Sequence, residues 1–177
     1  MVPLEEALAV TDNMNLRRFM LNVLKGDDLE RLLHSIAKAL NSSDSETAHY
    51  AASVLGDELG AFSANATEMA NRLEKADRDE TGELGPEMIR YMNTFLVQNV
   101  FTPTEQKNYV LMMDEAADAV YDRRPEVMNI SHYEWMSMRL LEVDEFKRCE
   151  IWCDRSAAAY PEELSSFTCR LKLYFKT

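Results

Sequence analysis

Three groups of residues in this chain have types and spacings that could do chemistry. Asp77-Arg78-Asp79-Glu80-Thr81-Gly82-Glu83-Leu84 opens like a calcium loop. It sets oxygen-bearing side chains at positions one, three and five and a glycine at six for the sharp turn, as a hard cation requires. The twelfth position is Met88 where a bidentate glutamate is needed, Glu87 comes one residue early, and Pro86 disturbs the loop's end. A solvated acidic linker is therefore the preferred reading. Cys149 and Cys153, with His132 nearby in sequence, form the second group. Zinc needs four ligands in tetrahedral array, and only two thiols are close, so the expectation is buried, unbridged small cysteines. The third group, His34, His49 and His132, shares no ligand spacing. His49-Tyr50 and His132-Tyr133 each fall early on a helix, and both imidazoles are expected to form hydrogen-bonded helix–helix contacts. The chain contains no nucleophile elbow, phosphate loop or paired Glu-x-x-His. No catalytic residue, metal ligand or cofactor is assigned.

The elements that would position these residues read almost throughout at helical period. Pro3 opens a short helix over 4–10, and a second runs over 14–25 with Leu16, Phe19, Met20, Val23 and Leu24 as its stripe. Helices over 29–40 and from 46 onward follow, joined by the turn Asn41-Ser42-Ser43-Asp44, with Asp44 or Ser45 as cap. The latter helix has a narrow face of Ala48, Ala51, Ala52, Leu55 and Leu59. It can continue to about Ala76, with Gly56 and Gly60 as weak points. Residues 77–86 read as the linker. Helices over 87–100, from Thr104 (its expected cap) to about 123, over 126–141, 144–160 and 162–175 complete the set. The last also alternates like a strand, but its place after a helix pair favours a helix.

Composition narrows the classes. Five glycines are too few for an all-β protein with many tight turns. With 31 acidic against 19 basic side chains the net charge is −12, which repels phosphate and disfavours a nucleic-acid binder. No stretch of about 18 apolar residues appears, and the first residues lack a basic n-region and an apolar h-region. Three cysteines, all late in the chain, are no disulfide framework. A reducing compartment, the cytoplasm, is the simple expectation.

Residues 130–163 carry a resemblance. Tyr133 stands at a large first-helix position, Met136-Ser137 at a large–small pair, and Leu140 at the next core site. Phe146 opens a second helix on which Cys149, Cys153 and Ser156 are the small packing positions, and Pro161 closes the unit. This resembles one tetratricopeptide repeat. Small residues on the second helix make room for bulky ones on the first. The pattern departs in lacking a turn glycine and in having Cys153 where an aromatic is usual. The hairpin of 29–40 and 46–59 is closer to a HEAT repeat. The implied fold is all-α, a right-handed solenoid of antiparallel helix pairs. Residues 1–76 form HEAT-like hairpins, 77–86 an acidic linker and 87–177 tetratricopeptide-like pairs, sharing one core. On the concave side, Glu134, Met138, Leu141 and Glu142 form a partner-binding strip, two apolar residues flanked by carboxylates that favour a basic partner.

A narrower resemblance lies in Pro3-Leu4-Glu5-Glu6-Ala7-Leu8, Arg17-Arg18, Asn22-Val23-Leu24-Lys25 and Ser45-Glu46-Thr47-Ala48-His49-Tyr50-Ala51-Ala52. These resemble the cytosolic repeat domain of proteins encoded with bacterial Pel-type exopolysaccharide machinery, where such a domain follows membrane-spanning helices. The resemblance implies a non-enzymatic scaffold for a membrane-bound synthase or export subunit, held at the inner face of the membrane. The alternatives are a calcium- or ligand-sensing helical domain and an enzyme on an unfamiliar helical scaffold. The apolar face of the last helix gives a further expectation, either self-association or a C-terminal segment that covers it.

Overall fold

The computed structural model describes residues 28–177. The helices expected over 4–10 and 14–25, and the N-terminal part of the narrower resemblance, lie outside the described residues. Within them the chain is all-helical. Seven α-helices run as α1 (Asp28–Leu40), α2 (Ser45–Lys75), α3 (Arg78–Leu96), α4 (Pro103–Arg123), α5 (Ile130–Glu142), α6 (Phe146–Ala159) and α7 (Leu164–Lys176), with a 3-10 turn at Pro125–Val127. The ambiguous final segment is helical. Two compact units divide at Asn65 and Ala66.

In the first unit, α1 turns Leu32, Ile36 and Ala39 toward Ala51 of α2, with Leu40, Tyr50, Val54 and Leu55 packed around them. Asp44 caps α2, accepting the Thr47 N–H at 3.0 Å and the Thr47 hydroxyl. Those bonds hold its carboxyl below the ordinary aspartate range.

The second unit corrects the linker. Residues 78–86 are the first half of α3. Asp77 caps that helix by accepting the Glu80 N–H at 2.9 Å, and the buried Thr81 hydroxyl donates to the Asp77 carbonyl at 2.6 Å. Leu84, Gly85, Met88, Ile89 and Met92 form one buried face on both sides of Pro86. A mid-helix proline costs about 3 kcal/mol, whereas each large apolar side chain buried contributes roughly 1.5–3 kcal/mol, so packing wins. The linker reading took charge, glycine and proline as signs of a loop. Here Gly85 instead lets α4 approach: a Cβ at that position would stand 2.1 Å from a Val120 methyl.

The start of α4 is a second correction. Its cap is Thr102, not Thr104. Thr102 and Glu105 form a reciprocal capping box around Pro103, because proline is pre-organised for the first helical position and the cap must precede it. The Thr102 bonds lower the Glu105 carboxyl. Both ends of α4 also close neighbouring helices. Gln106 Nε2 donates to the Leu96 carbonyl at the end of α3 at 2.9 Å. Arg123 Nη1 reaches the Leu73 and Ala76 carbonyls at the end of α2 and the Thr81 hydroxyl, at 3.2–3.3 Å. The last carbonyls of α2 and α3, of which Leu73 and Leu96 also close a final turn on the Ala76 and Asn99 N–H groups, thus gain side-chain donors from α4.

From α5 onward the helices alternate. The α5–α6 turn lacks glycine, and Asp144 takes its left-handed conformation at φ 61°, a geometry aspartate tolerates better than most residues. The Glu145 N–H closes the end of α5 on the Leu140 carbonyl at 2.9 Å. Tyr133, Met136, Ser137 and Leu140 of α5 and Cys149, Trp152, Cys153 and Ser156 of α6 are all buried. The Cys149 Sγ–H donates to the Ser137 carbonyl at 3.3 Å, which shows how near the small residues let the helices come. Phe146 is only half-buried.

Candidate functional site

Glu134, Met138, Leu141 and Glu142, the residues expected to form a partner-binding strip, share one side of α5, and the structure divides them. Glu134 and Glu142 are exposed, Met138 is half-buried and Leu141 is buried. The last helix covers the apolar part. Lys172 Nζ lies 3.4 Å from Met138 Sδ, and Lys176 Nζ donates to the Leu141 carbonyl at 2.6 Å and pairs with Asp144 at 3.0 Å. Glu142 pairs with Arg139 at 2.9 Å. Burial raises the Glu142 carboxyl against the opposing pull of Arg139 and Lys176. This side therefore presents two carboxylates to solvent, with the apolar pair behind Lys172 and Lys176.

Helix α7 is held by contacts that run antiparallel to α6 and parallel to α5. Against α6, Ser156 and Ser166 hydroxyls bond at 2.8 Å, Cys153 and Cys169 are joined by a disulfide with Cα atoms 5.9 Å apart, and Asp154 pairs with Arg170. Along α5 the contacts climb from Met138 with Lys172 to Leu141 with Lys176. The disulfide corrects the expectation of unbridged cysteines, and the inference of a reducing compartment loses its premise. Sequence spacing directed attention to Cys149 and Cys153, which share a helix face. The bridge instead joins facing positions of a helical hairpin, which spacing alone does not reveal. Cys149 remains a buried free thiol, pushed up to about 11 chiefly by that burial.

One buried polar cluster of the second unit has no counterpart in the sequence reading. Asp114 of α4 is 1% exposed. One of its oxygens accepts the Trp152 indole N–H at 2.6 Å, and the other pairs with Arg148. Beside it the Arg155 guanidinium lies 4.1 Å from the Tyr121 ring centre and 4.4 Å from that of Trp152, and pairs with Asp118. Tyr133 stacks edge-on with Trp152 at 5.9 Å and with Tyr160 at 5.8 Å, and the Tyr160 hydroxyl donates to the Met128 carbonyl. Each oxygen of Asp114 has a partner on α6, so the carboxylate is a buried tie between α4 and α6. The available signal was Asp114 and Asp118 at helical spacing on α4, opposite Arg148 and Arg155 on α6.

The remaining chemical candidates separate. His132 is buried, and its Nδ1 accepts the Asn129 N–H at 3.1 Å in a reciprocal capping box. Its expected hydrogen bond exists, but it serves its own helix start rather than a neighbouring helix. Burial lowers its pKa. His34 and His49 are exposed. Asp77, Asp79 and Thr81 stand on a helix start rather than in a loop, which spreads them along the first turn instead of around one point. Among the described residues no group of three His, Cys, Asp or Glu could hold a metal ion, and no helix is long and apolar enough to cross a membrane. No protein-family model, curated protein or solved structure matches the chain.

Proposed function

We propose that this chain is a non-enzymatic protein–protein interaction scaffold, a right-handed helical solenoid that serves as an assembly module of a bacterial Pel-type exopolysaccharide complex. The observation that carries the scaffold reading is the helix order at the C-terminal end. Helix α6 runs antiparallel to α5, and α7 returns parallel to α5 while touching both. That is how a tetratricopeptide unit hands over to the first helix of the next. The burial of Tyr133, Met136 and Leu140 on α5 and of Cys149, Cys153 and Ser156, beside Trp152, on α6 supports the same reading. The engagement of Asp114 by its two partners favours a structural over a catalytic use of the most buried carboxylate among the described residues. The exopolysaccharide assignment is carried by the short motifs of residues 3–59. The acidic edge of Glu134 and Glu142 within a chain of charge −12 suits a basic segment of a membrane-bound synthase or export subunit.

The test is capture from the source organism's membrane fraction with the immobilised chain as bait. The expected catch is a polysaccharide synthase or export subunit, released as salt is raised and weakened by Glu134→Lys with Glu142→Lys. Recovery of soluble metabolic enzymes alone counts against the reading.

A further inference from the structure

We propose that the outward face of α7 is a self-association surface that takes a second copy of this chain, α7 against α7. Leu164, Phe167, Leu171, Tyr174 and Phe175 are 74%, 54%, 54%, 77% and 81% exposed. They recur at helical spacing and share an arc of about 100°, the width of a core-facing stripe on a packed helix. The opposite face, which packs against the body, fully buries only the small Ser166 and Cys169, with Leu173 half-buried on the arc between them. The helix is thus built with its large apolar side outward.

Area and charge select the occupant. The three rings and two leucines leave on the order of 600 Å² of apolar surface per chain, at the upper end of what a lone soluble protein exposes in one patch. Two such faces brought together remove about 1,200 Å² from solvent, the lower end for a specific protein interface. The chain's charge of −12 opposes close approach of two copies wherever carboxylates face each other. Helix α7 contains no acidic residue, so along this face two copies meet without opposed carboxylates. An anionic membrane surface fits less well. Its attraction needs cations directed outward, whereas Arg170 is drawn to Asp154, Lys172 to Met138 and Lys176 to Leu141 and Asp144. The inference does not depend on the scaffold's partner or pathway.

The test is light scattering on a size-exclusion column with the 177-residue chain at about 1–200 µM, the weak end of the affinities that protein interfaces span. The expected mass is concentration-dependent and approaches twice 20.4 kDa. More dimer is expected as NaCl screens the acidic bodies. Leu171→Glu with Phe175→Glu, both at exposed positions, should leave circular dichroism and thermal unfolding unchanged and abolish the dimer. A wild-type monomer across the range, or a dimer that survives the double substitution, overturns the proposal. So does a wild-type chain that stays monomeric yet sediments with phosphatidylserine-containing vesicles.

Discussion

His132 uses its imidazole to start the helix that carries it. Nδ1 must be unprotonated to accept the Asn129 N–H, and the residue is buried, with its pKa lowered by desolvation. The folded state therefore disfavours the charged form. For a group whose folded pKa lies below its unfolded one, stability is fully present above the unfolded value, ordinarily near 6.5, and is lost as pH falls through the folded value. Glutamine in the same place can accept the same N–H, as capping boxes ordinarily use it, and does not titrate. The wild type should thus lose more stability than His132→Gln between about pH 7.5 and 5. The difference should be about 1 kcal/mol, the worth of one cap bond, read from urea midpoints of both proteins. Parallel curves would remove His132 from the acid response. The sequence showed the histidine and its helix. It did not show which atom the ring would meet, because Asn129 becomes a cap only when the chain before it turns away from the helix. The Asp114–Arg148–Trp152 tie was less legible still, since its three members come from two helices more than thirty residues apart.

At the scale of elements, local signals were read well where they agreed with packing and poorly where packing overrode them. The hydrophobic period located α1, α2 and α4 to α7 because their stripes are regular. Residues 77–86 failed because glycine and proline speak for a turn when only neighbours in sequence are counted. The buried face shared with α4 exists only in three dimensions. The same distinction separates the glycines by sign. Gly56 and Gly60 lie inside α2 with nothing within 4 Å of where a Cβ would stand. Alanine there removes backbone freedom from the unfolded chain and meets no obstacle, so each substitution should stabilise by roughly 0.5–1 kcal/mol. Gly85→Ala should do the reverse, because its methyl would meet Val120 at 2.1 Å and force α3 from α4, at a cost of roughly 1–3 kcal/mol. Chemical denaturation of the three single variants checks this. A Gly85→Ala protein as stable as wild type would mean that α3 and α4 are not in close contact there.

At the scale of the whole molecule, the excess of 31 carboxylates over 19 basic side chains sets two electrostatic effects against each other. Exposed pairs such as Arg72 with Glu80, Arg78 with Glu126 and Arg170 with Asp154 stabilise the fold and are weakened by salt, but each is worth only about 0–1 kcal/mol. The uncompensated charge repels itself in the compact state and is relieved by salt. The screening length shrinks from about 30 Å at 0.01 M to about 10 Å at 0.1 M. That change leaves pairs at contact distance partly intact and removes most of the longer-range repulsion across the surface. Repulsion is therefore the effect that salt changes more, and the urea midpoint should rise as NaCl goes from about 0.01 to 0.2 M. Read at a protein concentration low enough to hold the chain monomeric, the rise belongs to the fold rather than to dimer formation. KCl and CaCl2 at matched ionic strength should produce nearly the same rise, since the Asp77–Gly82 oxygens are spread along a helix start. A midpoint that falls with salt would make the surface pairs dominant. A large extra rise with calcium alone would restore a cation site to the molecule.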